Sequence, residues 1–179
     1  MKLQTDDDLI GSLRLGDIEA FEELYHRYKR KIFTFCLKLT GDQVLAEDAT
    51  HDAFLKMYQN IGSLNDASLF HSWLYAIARN QVYDLLNLGR SNGKFEEESI
   101  WSEETPLDVT EANDTSAILS ACIEALKPEY KEVLLLREYE QRSYAEIAAI
   151  TGDTESSVKS RLFKARRALA EKLRPYFKE

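Results

Sequence analysis

The fold of this protein is decided by a 27-residue stretch near its C-terminus, SYAEIAAITGDTESSVKSRLFKARRAL, at residues 143–169. A helix-turn-helix needs a small residue where its helices touch, a turn residue that tolerates positive φ, and an apolar anchor on the second helix. Ala148, Gly152 and Val158 stand at the required intervals of four and six, with Leu162 as a second anchor. The stretch therefore predicts a helix-turn-helix.

The second helix of this motif is predicted to be amphipathic. Its buried stripe comprises Val158, Leu162, Ala165, Leu169 and Leu173. Its opposite face carries Ser156, Ser160, Phe163, Lys164 and Arg167. Hydroxyl and backbone N–H groups at a helix N-terminus bind phosphate, and Arg or Lys further along can reach base edges in the major groove. This face suits DNA, although an ordinary solvated basic face would have the same composition.

Charge is unevenly distributed along the chain. The net charge is -8, yet residues 154–178 contain eight Lys and Arg against two Glu. Residues 91–116, in contrast, contain one Lys against eight Asp and Glu. A basic helix on an acidic protein keeps nucleic acid among the expected partners, because the local charge matters more than the sum.

The remaining sequence has helical spacing throughout and no alternating strand pattern. Helices are predicted at about 6–15, between Asp17 and Gly41, and at about 42–61, 68–88, 115–126, 128–138, 144–151 and 154–176, with Ser68 and Thr154 as N-caps. The expected fold is all-α, with two small helical domains, residues 1–90 and 115–179, joined by an acidic linker at residues 91–114.

Several classes of protein are disfavoured by composition. No apolar run approaches the roughly 20 residues that span a bilayer, and the N-terminus is polar and acidic, so a cytoplasmic location is expected. Cys36 and Cys122 lie far apart in apolar helical patterns, and the three His are scattered. No metal site and no cofactor are predicted, and both Cys are expected to be buried.

Residues 143–169 closely resemble region 4 of the extracytoplasmic-function sigma factors, marked by a Tyr-x-Glu-Ile-Ala helix followed by Val-Lys-Ser-Arg-Leu. In that family this module binds the promoter −35 element. The resemblance implies that the DNA contacts are Arg142, Ser143, Ser156, Ser157, Lys159, Ser160, Arg161, Phe163, Lys164 and Arg167. Residues 126–137 resemble the family's preceding helix, whose surface would meet the polymerase flap.

The third predicted helix places Asp48, Asp52 and Leu55 at intervals of four and three, in one strip on a helix face. Such a strip suits a protein contact or a solvated acidic face. Residues 46–58 resemble sigma region 2.2, which docks on the clamp coiled coil of RNA polymerase. The resemblance implies that polymerase contacts Asp48, Asp52, Leu55 and Tyr58, and Phe54 is assigned to the core.

Residues 63–84 resemble sigma regions 2.3 and 2.4, through the pattern Phe-x-x-Trp-Leu-Tyr-x-Ile-Ala-x-Asn. Melted DNA offers unstacked bases that a polar loop and aromatic rings can hold. The resemblance implies that a flipped base of the −10 element is received by Asn65, Asp66, Ala67 and Ser68, while Arg79 and Asn80 touch the strand. Phe70 and Trp73 also fit a core role. Family members often carry more cations after this helix, so a weaker grip on DNA is expected here.

Together the resemblance covers about residues 6–90 and 115–175. It implies an alternative sigma factor that binds core RNA polymerase at its clamp and flap, recognises promoter DNA at −10 and −35, and is commonly held inactive by an anti-sigma protein. The acidic linker would thread through polymerase, or merely solvate the gap between the domains.

Two other functions fit parts of the sequence. A helix-turn-helix regulator acting without polymerase explains only the C-terminal half. A helical hydrolase would use Asp48 and Asp52, but no nucleophile, phosphate loop or metal cluster accompanies these acids, so no enzymatic activity is expected.

Overall fold

The computed structural model of the protein describes residues 4–91 and 115–177, with the backbone alone for residues 88–91. The described residues are helical and contain no strand, which confirms the predicted all-α fold. Nearly all of them fall into two compact units, the first with residues 4–87 and the second with residues 115–148 and 152–177. The predicted linker, apart from Ser91, lies outside the described residues.

The N-terminal unit is built from four helices. They are α1 (Asp6–Arg14), α2 (Ile18–Thr40), α3 (Gln43–Asn60) and α4 (Phe70–Ser91). Between α3 and α4 the chain makes two 3-10 turns, Ile61–Ser63 and Ala67–Leu69. The residues predicted to receive a base, 65–68, lie partly between these turns and partly in the second turn.

Local capping explains where α2 ends and α3 begins. Asp17 is the N-cap of α2 and accepts a hydrogen bond from the N–H of Glu19 at 3.0 Å. Gly41 ends the helix with φ of 69°, a conformation that glycine adopts without steric cost. Asp42 follows directly as the N-cap of α3, accepting from the N–H of Leu45 at 2.9 Å.

The core of the N-terminal unit lies where α2 packs against α1 and α3. Its largest fully buried side chains are Leu9, Ile10, Leu24, Ile32, Leu39, Met57, Phe70, Leu74 and Tyr75. Burial of each aliphatic side chain contributes about 1.5–3 kcal/mol. The predicted core residue Phe54 is buried as well.

The C-terminal unit contains α5 (Thr115–Glu124), α6 (Pro128–Leu134), α7 (Tyr144–Thr151) and α8 (Glu155–Leu173). Helix α8 packs against α5 and α6 and is followed by a 3-10 turn at Arg174–Tyr176. Its core includes Leu126, Leu136, Ile147, Val158 and Leu162. None of the helices in residues 4–91 and 115–177 is both long and apolar enough to cross a bilayer.

Two predicted helices differ from the observed ones. The helix that begins at Pro128 was expected to continue to Glu138, but it widens into a five-residue π-helical turn at Leu135–Tyr139. The helix expected from Ser68 begins at Phe70, directly after a 3-10 turn, Ala67–Leu69, whose N-cap is Asp66. Cys36 and Cys122 are both buried and reduced, as predicted.

Candidate nucleic-acid and protein interfaces

The helix-turn-helix is fixed by hydrogen bonds at each end of α7. Ser143 and Glu146 form a reciprocal capping box, with Ser143 N–H donating to Glu146 Oε2 at 2.8 Å and Glu146 N–H donating to Ser143 Oγ at 3.2 Å. The donation from the Ser143 N–H holds the pKa of Glu146 below its usual value. At the other end Gly152 has φ of 74° and donates to the carbonyl of Ala148 at 2.9 Å. The predicted turn is present at Gly152.

Helix α8, the recognition helix, presents the predicted polar face. Val158, Leu162 and Ala165 are buried, whereas Leu169 and Leu173, predicted to be buried, are only half-buried. Burial of the apolar stripe therefore decreases towards the C-terminus of the helix. The residues predicted to face outward are all exposed, namely Ser156, Ser160, Phe163, Lys164 and Arg167. Phe163 is 70% exposed, which is unusual for a large apolar ring and suits a contact outside the chain.

All three arginines of the recognition helix are already paired with acids. Arg161 Nη2 lies 2.7 Å from Asp153 Oδ2, and Arg166 Nη2 lies 2.7 Å from Glu138 Oε1. Arg167 is paired more loosely with Glu171, at 3.2 Å and one helical turn away. Lys164 is exposed and pairs with no acid in the part of the chain that the structure describes. Phosphate would therefore meet Lys164 without first displacing an acid.

Two cations contact the ring of Tyr144. The guanidinium carbon of Arg137 is 4.7 Å from the centre of this ring, and Lys159 Nζ is 5.2 Å from it. A cation over an aromatic face is attracted by the ring quadrupole. Lys159 is one of the predicted DNA contacts. Tyr144 is not among the predicted site residues, because no sequence pattern connects it to Arg137 and Lys159. Tyr144 links the first helix of the motif to the second.

The other two predicted −35 contacts at the start of the motif, Arg142 and Ser143, are held by α7. Arg142 Nη1 lies 3.0 Å from Glu146 Oε1. The hydroxyl of Ser143 accepts the capping hydrogen bond described above. Ser157 is half-buried, and its N–H donates to the Thr154 hydroxyl, the N-cap of α8, at 3.2 Å.

The π-helical turn at Leu135–Tyr139 precedes the motif. The N–H of Glu140 donates to the carbonyl of Leu135 at 3.1 Å, and the N–H of Arg142 donates to that of Leu136 at 2.9 Å. Gln141 has φ of 53°, which a non-glycine residue rarely adopts. Such wide turns occur often at functional sites. Here the turn presents Arg137 to Tyr144 and Glu138 to Arg166.

On α3, the predicted polymerase-binding strip forms a mixed surface. Asp48 is exposed and Asp52 half-buried, while Leu55 and Tyr58 are 46% and 41% exposed. The Tyr58 ring packs edge-on against Phe21, with centroids 5.4 Å apart. Acids beside exposed apolar side chains on one helix suit a basic protein partner.

The predicted base-receiving loop, residues 65–68, projects between two buried anchors, Leu64 and Phe70. Asp66 accepts hydrogen bonds from the N–H and the hydroxyl of Ser68 at 2.9 and 2.7 Å. These donors, the hydroxyl first, lower the pKa of Asp66. Asn65, Asp66 and Ser68 are exposed, and Ala67 is half-buried. The loop therefore exposes amide, carboxylate and hydroxyl groups at its surface.

The predicted strand contacts lie on the following helix, α4. Arg79 is half-buried, with its guanidinium carbon 4.5 Å from the centre of the Tyr83 ring and Nη1 3.3 Å from Asn80 Oδ1. Asn80 is exposed. Of the two rings with a suggested core role, Phe70 is fully buried, while Trp73 is half-buried. The accessible part of Trp73 leaves one aromatic surface on this helix for stacking.

Both halves of the chain match known protein families. Residues 24–90 match the family described as Sigma-70 region 2, and residues 116–169 match Sigma-70, region 4. The RNA polymerase sigma-H factor of Pseudomonas aeruginosa is 29% identical over 188 residues, covering 98% of this chain and 97% of that protein. The ECF RNA polymerase sigma-E factor of Escherichia coli K12 is 30% identical over 185 residues, covering 96% of this chain and 95% of that protein.

Solved structures share the fold. CnrH, in complex with the cytosolic domain of CnrY, superposes with a TM-score of 0.68 at 20% identity, over 94% of this chain and 96% of that one. The sigma factor RpoE of Bartonella quintana, in complex with the anti-sigma factor NepR, superposes with a TM-score of 0.67 at 24% identity, over 86% of this chain and 96% of that one. With the family matches and the full-length relatives, the chain belongs to the extracytoplasmic-function sigma factors of the sigma-70 family, transcription initiation factors that bind core RNA polymerase and direct it to promoters.

Proposed function

We propose that the two units divide promoter recognition between them, with residues 1–90 binding core polymerase and the −10 element and residues 115–179 binding the −35 element. The single observation that carries this proposal is the exposed face of α8. This face follows the turn at Gly152 and consists of the hydroxyls of Ser156 and Ser160, the exposed Lys164 and the 70% exposed Phe163. Such a face fits the major groove of intact duplex DNA.

The N-terminal unit would bind two partners on different elements. The strip on α3, with Asp48, Asp52, Leu55 and Tyr58, is assigned to the polymerase clamp. Its acidic side chains would complement a basic surface on that partner. Loop 65–68 is assigned to an unpaired base of the −10 element, with Arg79 and Asn80 on the strand beside it. The polar groups of this loop are exposed and suited to the edge of a flipped base.

This assignment makes the protein a specificity subunit with no active site of its own, acting in the cytoplasm where polymerase works. We extend to it the control by an anti-sigma protein that the RpoE–NepR complex exemplifies. An inhibitor that covers the exposed apolar side chains Leu55, Tyr58 and Phe163 would block polymerase and DNA together. Competition between such a protein and core polymerase for the purified chain would test this extension.

Run-off transcription tests the main proposal. Purified protein with core polymerase is expected to yield discrete transcripts whose start sites share upstream −10 and −35 sequences, while core polymerase alone is not. A helix-turn-helix regulator of the kind considered above would instead bind a specific duplex without polymerase and give no such transcripts. Sequencing the transcript starts would define the two promoter elements.

A further inference from the structure

Helix α1 contacts the 3-10 turn that precedes loop 65–68 and the 3-10 turn at Ala67–Leu69, which contains the second half of the loop. It precedes residues 24–90, which match region 2, and none of the contacts predicted from the sequence falls on it. Leu9, Ile10 and Leu13 are buried and hold α1 on the bundle. The helix is therefore a fixed part of the scaffold beside the loop.

The C-terminal end of α1 is bonded to the base of the loop. Arg14 Nη2 donates a hydrogen bond to the carbonyl oxygen of Leu64, the last residue before the loop. Leu64 is itself 5% exposed, and its N–H donates to the carbonyl of Ile61 at 3.3 Å. Hydrogen bonds from a charged donor are about twice as strong as neutral ones. Leu64, the residue from which the loop departs, is thus hydrogen-bonded at both its N–H and its carbonyl oxygen.

The N-terminal end of α1 reaches the other side of the same loop. Asp6 Oδ1 lies 2.9 Å from Arg27 Nη1, and the Tyr28 hydroxyl donates to Asp6 Oδ2. The Tyr28 ring in turn packs edge-on against Phe70, with centroids 5.3 Å apart. Phe70 is the first residue of α4 and lies two residues after the loop. The Arg14 hydrogen bond and the contact through Tyr28 therefore link the two ends of α1 to residues before and after loop 65–68.

Within the loop, the bonds from Ser68 to Asp66 set its internal shape but not its direction. That direction is set at its two ends. Binding groups have to be held within about 0.5 Å of the productive geometry to discriminate between ligands. A side chain that restrains one end of the loop therefore affects which base fits.

We propose that Arg14 is a positioning residue for base recognition in the −10 element. By holding the Leu64 carbonyl, it fixes the direction in which loop 65–68 leaves the bundle, without touching DNA itself. This inference rests on the proposed function of the loop. It predicts that loss of the Arg14 side chain lowers discrimination between bases and leaves polymerase and −35 binding unchanged.

The test uses the full chain, bound to core polymerase, on fork DNA with a single-stranded non-template −10 segment. Affinity is compared between the intact strand and strands with one abasic position, scanned across the segment. Arg14→Ala is expected to lower the intact-to-abasic affinity ratio by about tenfold at the recognised position. Arg14→Lys, which keeps a charged donor, should restore most of the ratio. Arg30→Ala, which removes an exposed cation from α2, is the matched control and should equal the wild type.

Hydrogen exchange of the loop amides gives a readout that needs no DNA. These amides should exchange faster in Arg14→Ala than in Arg30→Ala. An unchanged affinity ratio, unchanged exchange, or an equal loss of affinity on intact and abasic strands would each overturn the positioning role. If Asn65→Ala and Ser68→Ala together leave the wild-type ratio unaltered, the loop is not the base-binding element, and the proposed function of this loop fails independently of Arg14.

Discussion

Arg161 Nη2 lies 2.7 Å from Oδ2 of Asp153, so the recognition helix is bound to the turn that precedes it. Both side chains are less than a third exposed, at 22% and 28%, which limits screening by solvent. We expect Asp153→Asn and Arg161→Gln each to lower the free energy of unfolding. A double-mutant cycle in guanidinium chloride should give a coupling energy of about 1 kcal/mol. Additive single effects would show that the pair contributes nothing to stability.

Replacing Lys164 by Ala should weaken binding to a −35 duplex by about 1–3 kcal/mol, because this cation is exposed and has no acid to displace among the described residues. Arg167→Ala should act in the same direction. Glu171→Gln should do the opposite, since it releases Arg167 from its partner at 3.2 Å. Fluorescence anisotropy at several salt concentrations measures these effects, and an equal loss of core polymerase affinity would contradict a DNA role for Lys164.

Tyr144→Leu should weaken −35 binding by about 0.5–1 kcal/mol, because the ring no longer restrains Lys159, whose Nζ lies 5.2 Å from its centre. Tyr144→Phe keeps the aromatic face and serves as the matched control, with affinity close to the wild type. The same duplex-binding titration is suitable. Equal affinities for the Leu and Phe variants would show that the cation–π contacts do not position Lys159.

Asp52→Lys should weaken binding to core polymerase, because it reverses a charge on the strip shared with Leu55 and Tyr58. Glu22→Lys makes the same charge change at an exposed position on α2 and should have little effect. Anisotropy of labelled protein titrated with core polymerase compares the two. If both variants bind as tightly as the wild type, α3 is not the docking surface.

Both thiols should resist alkylation in the folded protein. Burial raises the pKa of Cys36 to about 12 and also raises that of Cys122, so the reactive thiolate is scarce at pH 8. In the unfolded chain the Cys36 thiol has a pKa of about 8.5. As the pH rises from that value towards 12, the thiol ionises only in the unfolded state, so the free energy of unfolding falls. Iodoacetamide labelling followed by mass spectrometry should show slow modification in native protein and rapid modification at both sites in denaturant.

Features with a local cause were predicted correctly from the sequence. The limits of α2 at Asp17 and Gly41 and the turn at Gly152 depend on neighbouring residues only, and all occur where expected. The exposure of Phe163 and Lys164 follows from helical periodicity once Val158 is buried. These local signals were sufficient for the fold class and for the orientation of the recognition helix.

Features that depend on distant partners were not predicted. Arg14 and Leu64 are separated by 50 residues, and Arg166 and Glu138 by 28, so no sequence pattern connects them. Ser68 is a residue type common at helix N-caps, but here it lies in the 3-10 turn before α4 and donates two hydrogen bonds to the carboxylate of Asp66, the N-cap of that turn. The wide turn at Leu135–Tyr139 likewise begins in an apolar run, residues 133–136, that does not differ from an ordinary buried helix.

That turn gives the segment before the helix-turn-helix a fixed length. Each residue added to or removed from a helix rotates the downstream chain by about 100° and shifts it by about 1.5 Å. Deleting one residue between Leu135 and Tyr139 would restore α-helical winding, yet it would carry Glu138 out of line with Arg166 and Arg137 out of line with Tyr144. Point substitutions here are thus compatible with the observed register, whereas a change of chain length by a single residue is not.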